Sequence, residues 1–244
     1  MAEGISGTVP IKADPFEAAV ETVRKALSLG KARKSASAPI YFGALRNEGR
    51  SRHNGIDLFV PVGTQIQLPS SKAVLIGMCR ESSSGAGASI GNGLVFFVPN
   101  DNAPYFLLLA HLSKTTFKHL QHKGILIGSE VIAEPEGSVI AYSGASKAGP
   151  SPHVHVSVTT TFKFGGKNYR SEDFLEMYRN RTIPPKNFYA TMPEKRSNDP
   201  KSLVGYRDPL AMIDSGKMRF SSLPEAVGIA KAEQKKQPIA IALR

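Results

Sequence analysis

Ser151-Pro152-His153-Val154-His155-Val156-Ser157-Val158 is the stretch on which the fold turns. In an extended chain successive side chains point to opposite faces. His153, His155 and Ser157 therefore share one face, and Val154, Val156 and Val158 share the other. The valine face calls for a core behind it. The histidine face sets two imidazoles side by side on a stiff support. Taken alone, the same spacing also fits two polar residues on the solvent side of a strand.

Working outward, the residues from Ala38 to about Thr161 run in short β-rich segments broken by glycine and proline. They are DLFVPV (57–62), TQIQLP (64–69), KAVLIGMC (72–79), GLVFFVP (93–99), YFLLLAHL (105–112), EVIAEP (130–135), SVIAYSG (138–144) and HVHVSV (153–158). Segments of this length with turns between them predict a mainly β chain, an antiparallel sheet or β-sandwich with short flanking helices. SSSGAGASIGNG (82–93) reads as a surface loop or hairpin tip. Upstream, PFEAAVETVRKALSL (15–29) places Phe16, Ala19, Val20, Val23 and Ala26 or Leu27 at helical spacing, with Pro15 near the start and Gly30 past the end. A short amphipathic helix is expected there, with KARKSASAP as a linker. Downstream, residues 162–209 are basic and rich in turn formers. One helix is expected over Ser171–Arg181, capped by its serine and acidic in its first turn. A second is expected around Pro224–Lys236. The organisation expected is thus an N-terminal helical extension and linker (1–36), a β domain (37–165), a C-terminal extension packing on it (166–216) and a basic tail (217–244).

The 244 residues give room for one domain with extensions, and an apolar share of 41% is that of a globular chain. The longest apolar runs, GLVFFV and YFLLLA, fall far short of the roughly 20 residues a membrane-spanning helix needs. The formal net charge of +11 suits nucleic acid, anionic lipid or an anionic cell-wall polymer. An arginine-rich helix, an aromatic-interleaved basic stretch and an RNA-binding motif are all missing, which argues against nucleic acid. The single cysteine, Cys79, excludes an internal disulfide framework and reads as a small buried side chain.

Two further segments carry metal-ligand chemistry. In RHNGIDLFVPVGT, His53 and Asp57 lie four apart, close enough to share a face, and Gly55 between them is expected to allow a tight turn that brings both onto one ion. His111 ends the apolar run YFLLLAHL, so a strand buried along its length delivers one polar group at its mouth. Together these segments and HVH hold four of the six histidines. Imidazole and carboxylate are the ligands that hold a catalytic zinc while leaving a position open for water. His119 and His122 could share a helical face, but no carboxylate accompanies them, and they read as surface residues.

In order and context these segments resemble the lysostaphin-type zinc metalloendopeptidases, which cleave bacterial peptidoglycan peptides. The resemblance runs from about Tyr41 to Val158 through YFGALR, RHNGIDLFVPVGTQI, a strand pair ending in AHLS, and GSVIAYSGASKAGPSPHVHV, with Asp208-Pro209-Leu210 as an end marker. It implies His53, Asp57 and His155 as the ligands of a Zn2+ ion, and His111 and His153 as a catalytic pair that does not bind the metal. It also implies that residues 37–165 form the catalytic domain. The chain departs from the family in two places. GPSPHVH carries Ser151 and Pro152 where the family runs directly from GP to its histidines, and Val154 stands where a leucine is usual.

The implied substrate is a peptidoglycan peptide, and the implied place of action is the periplasm or cell wall. MAEGISGTVPIKADPFEAAV shows no basic and apolar secretory signal. Delivery by a phage or a secretion machine is therefore expected, with an immunity or delivery protein as partner. A second reading, from a different class, is a degenerate member that binds a wall peptide or partner protein without catalysis.

Overall fold

Leu107 and Leu109 alternate with Phe106, Leu108 and Ala110 along one strand, and all five are buried. A strand apolar at every position fits only inside a sheet covered on both faces, and this is where it lies. Leu107 and Leu109 point into a large core with Ile56, Phe96, Val154 and Val156. Phe106, Leu108 and Ala110 point into a second core with Val95, Phe97, Phe162 and Phe174.

The structure, a computed structural model, describes residues 41–46, 51–81, 90–133, 139–146, 148, 151–164, 167–182, 190–191 and 200–235. The chain divides into two units, Met1–Ala36 and Ser37–Arg244, and the described residues belong to the second. The helix expected over 15–29 and its linker lie outside them. In chain order the strands before α1 are β1 (Leu45–Arg46), β2 (Ser51–Arg52), β3 (Ile56–Phe59), β4 (Gln65–Gln67), β5 (Lys72–Cys79), β6 (Gly93–Val98) and β7 (Tyr105–Ala110). Then come α1 (Thr115–His122), β8 (Glu130–Ile132), β9 (Val139–Tyr142), β10 (His153–Thr159), β11 (Thr161–Phe164), β12 (Lys167–Arg170) and α2 (Ser171–Arg179). The chain continues through β13 (Ala190–Thr191), a 3-10 turn at Pro200–Leu203, β14 (Tyr206–Arg207), α3 (Pro209–Asp214) and α4 (Pro224–Lys235).

The protein is mainly β, as the turn-punctuated pattern predicted, and each of the eight quoted β-rich runs contains a strand. A seven-stranded sheet takes the order β14-β10-β7-β6-β5-β8, with β3 also paired to β10. Its pairings are antiparallel. β10 lies against β7 on one edge, and its other edge is shared by β3 and β14. Val154, Val156 and Val158 are fully buried in the large core, so the predicted valine face is where the pattern put it. β5 and β6 pair as a hairpin as far as Cys79 and Gly93, and most of the expected tip, residues 82–89, lies outside the described residues.

Two local expectations change. Thr161–Phe164 and Lys167–Arg170 pair as β11 and β12 within a stretch whose composition showed basic residues and turn formers, and Phe162 is a core residue that packs on Phe106 at a ring distance of 5.3 Å. Basic composition masked that inward anchor. In α2, Arg170 occupies the cap position and Ser171 is already the first helical residue; the Asp173 carboxylate accepts from the Arg170 backbone N–H at 3.3 Å. The acidic first turn is as expected. Past it, Asp208 caps α3 by accepting from the Leu210 N–H at 2.9 Å, and Pro209 stands at the first turn. Met218, Phe220, Leu223, Ala226, Val227 and Ala230 join the large core, which ties residues 218–230 to the sheet.

Leu109 is fully buried in the middle of this sheet. Leu109→Ala should cost about 2–5 kcal/mol in urea or guanidinium unfolding. Val204→Ala, at a side chain 77% exposed, should change stability by less than about 0.5 kcal/mol.

Candidate metal centre

The register of β10 on β3 builds the site. His155 stands directly opposite Asp57, and His153 opposite Phe59. Directly paired residues of antiparallel strands project to the same side, so imidazole and carboxylate meet on the face away from the valines. His155 Nδ1 lies 2.9 Å from Asp57 Oδ1.

His53 arrives from β2 and is fixed by its own backbone. Its N–H donates to Ala44 O and its carbonyl accepts from Gly43 N–H, both at 2.8 Å. The ring donates Nδ1–H to Tyr41 O at 3.1 Å, since a carbonyl can only accept. The Nε2 lone pair therefore faces inward, 3.0 Å from His155 Nδ1 and 3.3 Å from Asp57 Oδ1. Gly55 serves this geometry differently from the expectation. No left-handed backbone is recorded there. A Cβ at this position would stand 2.2 Å from Val156 O and 2.9 Å from His155 Cε1. Glycine is needed for the close approach of the chain to β10, not for a turn.

His111 and His153 complete the group. His111 has a left-handed backbone, φ 62°, which is uncommon for a residue with a Cβ and costs of order 1 kcal/mol or more. The surroundings impose it. Its N–H donates to Ile90 O at 3.2 Å, and its ring donates Nδ1–H to Ser146 O at 2.8 Å. His153 likewise donates Nδ1–H to Ser151 O at 2.9 Å. Both rings thus keep Nε2 as the lone-pair nitrogen. The His111 and His153 rings are 4.6 Å apart, and His153 Nε2 lies 3.6 Å from Asp57 Oδ1.

Burial sets the charges. Desolvation pushes His53 down to about 4 from an ordinary 6.5; its hydrogen bond and attraction to Asp57 offset this only in part. His111 is likewise held at about 4, by desolvation first and then by its histidine neighbours. His153 is lowered for the same leading reason. Burial would raise the Asp57 carboxyl, but the hydrogen bond from His155, together with the adjacent His53 ring, outweighs it and holds the group well below the usual carboxylate range. The result is neutral His53, His111 and His153 around an ionised carboxylate, the protonation state that metal ligation demands.

His53 Nε2, Asp57 Oδ1 and His155 Nδ1 could hold a divalent cation; the metal-ligating atoms of these three residues lie within 4.8 Å of one another. A tetrahedral zinc with bonds of about 2.0–2.1 Å has ligand–ligand edges of about 3.3 Å. The observed edges of 3.3, 3.0 and 2.9 Å match that span with a slight contraction. Two imidazoles and one carboxylate are also the donor types a hydrolytic zinc takes.

The remaining sequence candidates stand apart. His119 is half-buried on α1 and donates Nε2–H to Val139 O at 2.9 Å, and His122 is exposed. Cys79 is buried, which raises its thiol to about 11. Three contributors carry no motif of their own. Arg46 donates to Asp57 Oδ2. Asn92, buried, donates to Leu112 O at 3.1 Å and accepts from Glu81 N–H at 3.0 Å. Ser146 donates its hydroxyl to Leu112 O at 3.1 Å while its carbonyl holds His111. Arg46 lies inside YFGALR, so its segment was visible, but nothing in the order of residues pairs it with Asp57.

Comparison with protein-family models gave no match, and comparison with curated proteins gave none. Among solved structures, the chain is similar in part to the catalytic domain of the antimicrobial peptidase lysostaphin from Staphylococcus simulans. That likeness has 21% identity and a TM-score of 0.35, over 51% of this chain and 80% of that one. A variant catalytic domain of a prophage-encoded M23 protein from Enterococcus faecalis is similar at 21% identity and a TM-score of 0.33, over 56% of this chain and 92% of that one. Lysostaphin itself is similar at 18% identity and a TM-score of 0.34, over 65% of this chain and 56% of that one.

Gly55→Ala should separate β3 from β10 and weaken metal binding at least tenfold in a chelator competition, because the added methyl has backbone rather than a movable side chain in its way. In metal-free protein, His53 and His111 bind protons more readily when unfolded, because their folded values of about 4 lie below the ordinary 6.5. Stability should therefore be full above about pH 6.5 and fall as pH drops towards 4, measured as melting temperature across that range.

Proposed function

We propose that this chain is a zinc-dependent endopeptidase that hydrolyses peptide cross-links of bacterial peptidoglycan. The observation that carries the proposal is the convergence of His53 Nε2, Asp57 Oδ1 and His155 Nδ1 beside two further imidazoles, His111 and His153. The resemblance of RHNGIDLFVPVGTQI and its companion segments supplies the substrate class. The net charge of +11 favours retention on anionic wall polymers.

In this reading His53, Asp57 and His155 hold the ion. Zinc there supplies Lewis-acid polarisation and lowers the pKa of an attacking water from about 15.7 to about 7. Each side chain of the catalytic pair has a defined task. Neutral His153 and His111, each with Nδ1–H tied to a backbone carbonyl, present Nε2 as a proton acceptor. One takes the proton of the water; the protonated ring then stabilises the tetrahedral oxyanion and returns the proton to the leaving amine. The carbonyls of Ser146 and Ser151 keep both rings in the tautomer this requires. An enzyme of this kind would act in the periplasm or cell wall, and an immunity or delivery protein belongs to the proposal. Among the described residues no helix is long and apolar enough to cross a membrane.

Mass spectrometry of fragments released from two wall types, with a chelated control, tests the proposal. Zinc-loaded protein should release cross-link peptides and the chelated sample none. His111→Ala and His153→Ala should keep the metal while turnover falls by about 10²–10⁴. His53→Ala, Asp57→Ala and His155→Ala should lose both. Folded, zinc-loaded protein that leaves both walls intact would overturn the enzymatic reading and leave a wall-binding module.

A further inference from the structure

We infer that Arg46 is a positioning residue for the metal centre: by holding one carboxylate oxygen of Asp57, it aims the other at the ion. The inference rests on the zinc reading above. Oδ1 is the oxygen that faces the imidazoles, at 2.9 Å from His155 Nδ1, 3.3 Å from His53 Nε2 and 3.6 Å from His153 Nε2. Oδ2 takes the Arg46 guanidinium instead. The two oxygens thus have separate duties, and the division depends on a cation on the far side.

The placement of Arg46 is built, not incidental. It lies on β1, where it pairs with Ser51 of β2, and β2 leads directly into His53. The same short strap supplies Tyr41 O to the His53 ring and is pinned by Arg52, which donates to Gly43 O at 2.9 Å. Residues 41–46 therefore orient two members of the cluster from outside it, the ring of His53 and the carboxylate of Asp57. The Asp57 side chain is 5% exposed and that of Arg46 is 24% exposed. The guanidinium keeps part of its hydration, whereas the carboxylate, without it, would have a buried oxygen facing no charge.

Chemistry favours arginine over a bare charge here. A carboxylate beside zinc can rotate, lean both oxygens onto the metal or turn away. Partners of the ligands remove that freedom, and their loss costs about 10–100-fold in metal affinity. The planar guanidinium fixes direction as well as charge, which a lysine ammonium on a flexible stem does not.

The test uses the full chain as wild type, Arg46→Met and Arg46→Lys. Zinc affinity is read by competition with a chromophoric chelator, the ligand field by the visible spectrum of the cobalt-substituted protein, and folding by circular dichroism. Arg46→Met should bind zinc about 10–100-fold more weakly and change the intensity and position of the cobalt bands. Arg46→Lys should recover only part of each. Wild-type affinity and spectrum in Arg46→Met would overturn the inference even if its melting temperature fell, because a purely structural ion pair moves only the latter. If Arg46→Met does not fold, Arg46→Lys decides, and wild-type values there would overturn it. Wild-type protein that takes up no zinc would instead remove the metal reading itself, so the two failures are separable.

Discussion

Everything in the site depends on one pairing, His155 of β10 opposite Asp57 of β3. Side chains alternate along a strand, so a slip of one residue would turn His153 and His155 into the core and bring the valines out. The register is guarded by the buried valines on one face and by Gly55 on the other, where the chain passes too near Val156 O for any larger residue. Packing energy thus specifies where the imidazoles stand, and polar chemistry does not have to.

Once so placed, the group is an electrostatic compromise. Burial strips water from His53, His111 and His153 and keeps them neutral, while Asp57, hydrogen-bonded by His155, stays ionised. Such a carboxylate calls for a cation. Arg46 meets part of that demand on Oδ2, and Oδ1 remains turned towards three imidazoles. The carbonyls of Tyr41, Ser146 and Ser151 finish the arrangement by fixing which nitrogen of three rings carries hydrogen. The strain in the His111 backbone has the same purpose: a left-handed residue leaves the alternation of β7 and carries its ring back towards β10.

The sequence disclosed most of the sheet because two-residue periodicity and apolar runs report burial directly. Both faces of β10 follow from HVHVSV, and β7 follows from YFLLLA. The β11–β12 pair escaped because its buried aromatic, Phe162, stands amid basic residues. The histidine and aspartate segments were visible as short motifs, but their convergence is a long-range fact: His53 and His155 lie 102 residues apart. Backbone carbonyls that orient rings have no sequence signature at all. Arg46 was hidden for a related reason, since an arginine 11 residues before an aspartate is ordinary until the hairpin β1–β2 folds one over the other.

The most direct measurement is zinc K-edge X-ray absorption on the metal-loaded protein, compared with Asp57→Ala. The expected result is one zinc per chain, bound by nitrogen and oxygen at about 2.0–2.1 Å with imidazole scattering, and loss of that signal in the variant. A sulfur ligand, a signal unchanged by the substitution, or no stoichiometric zinc would contradict the centre described above.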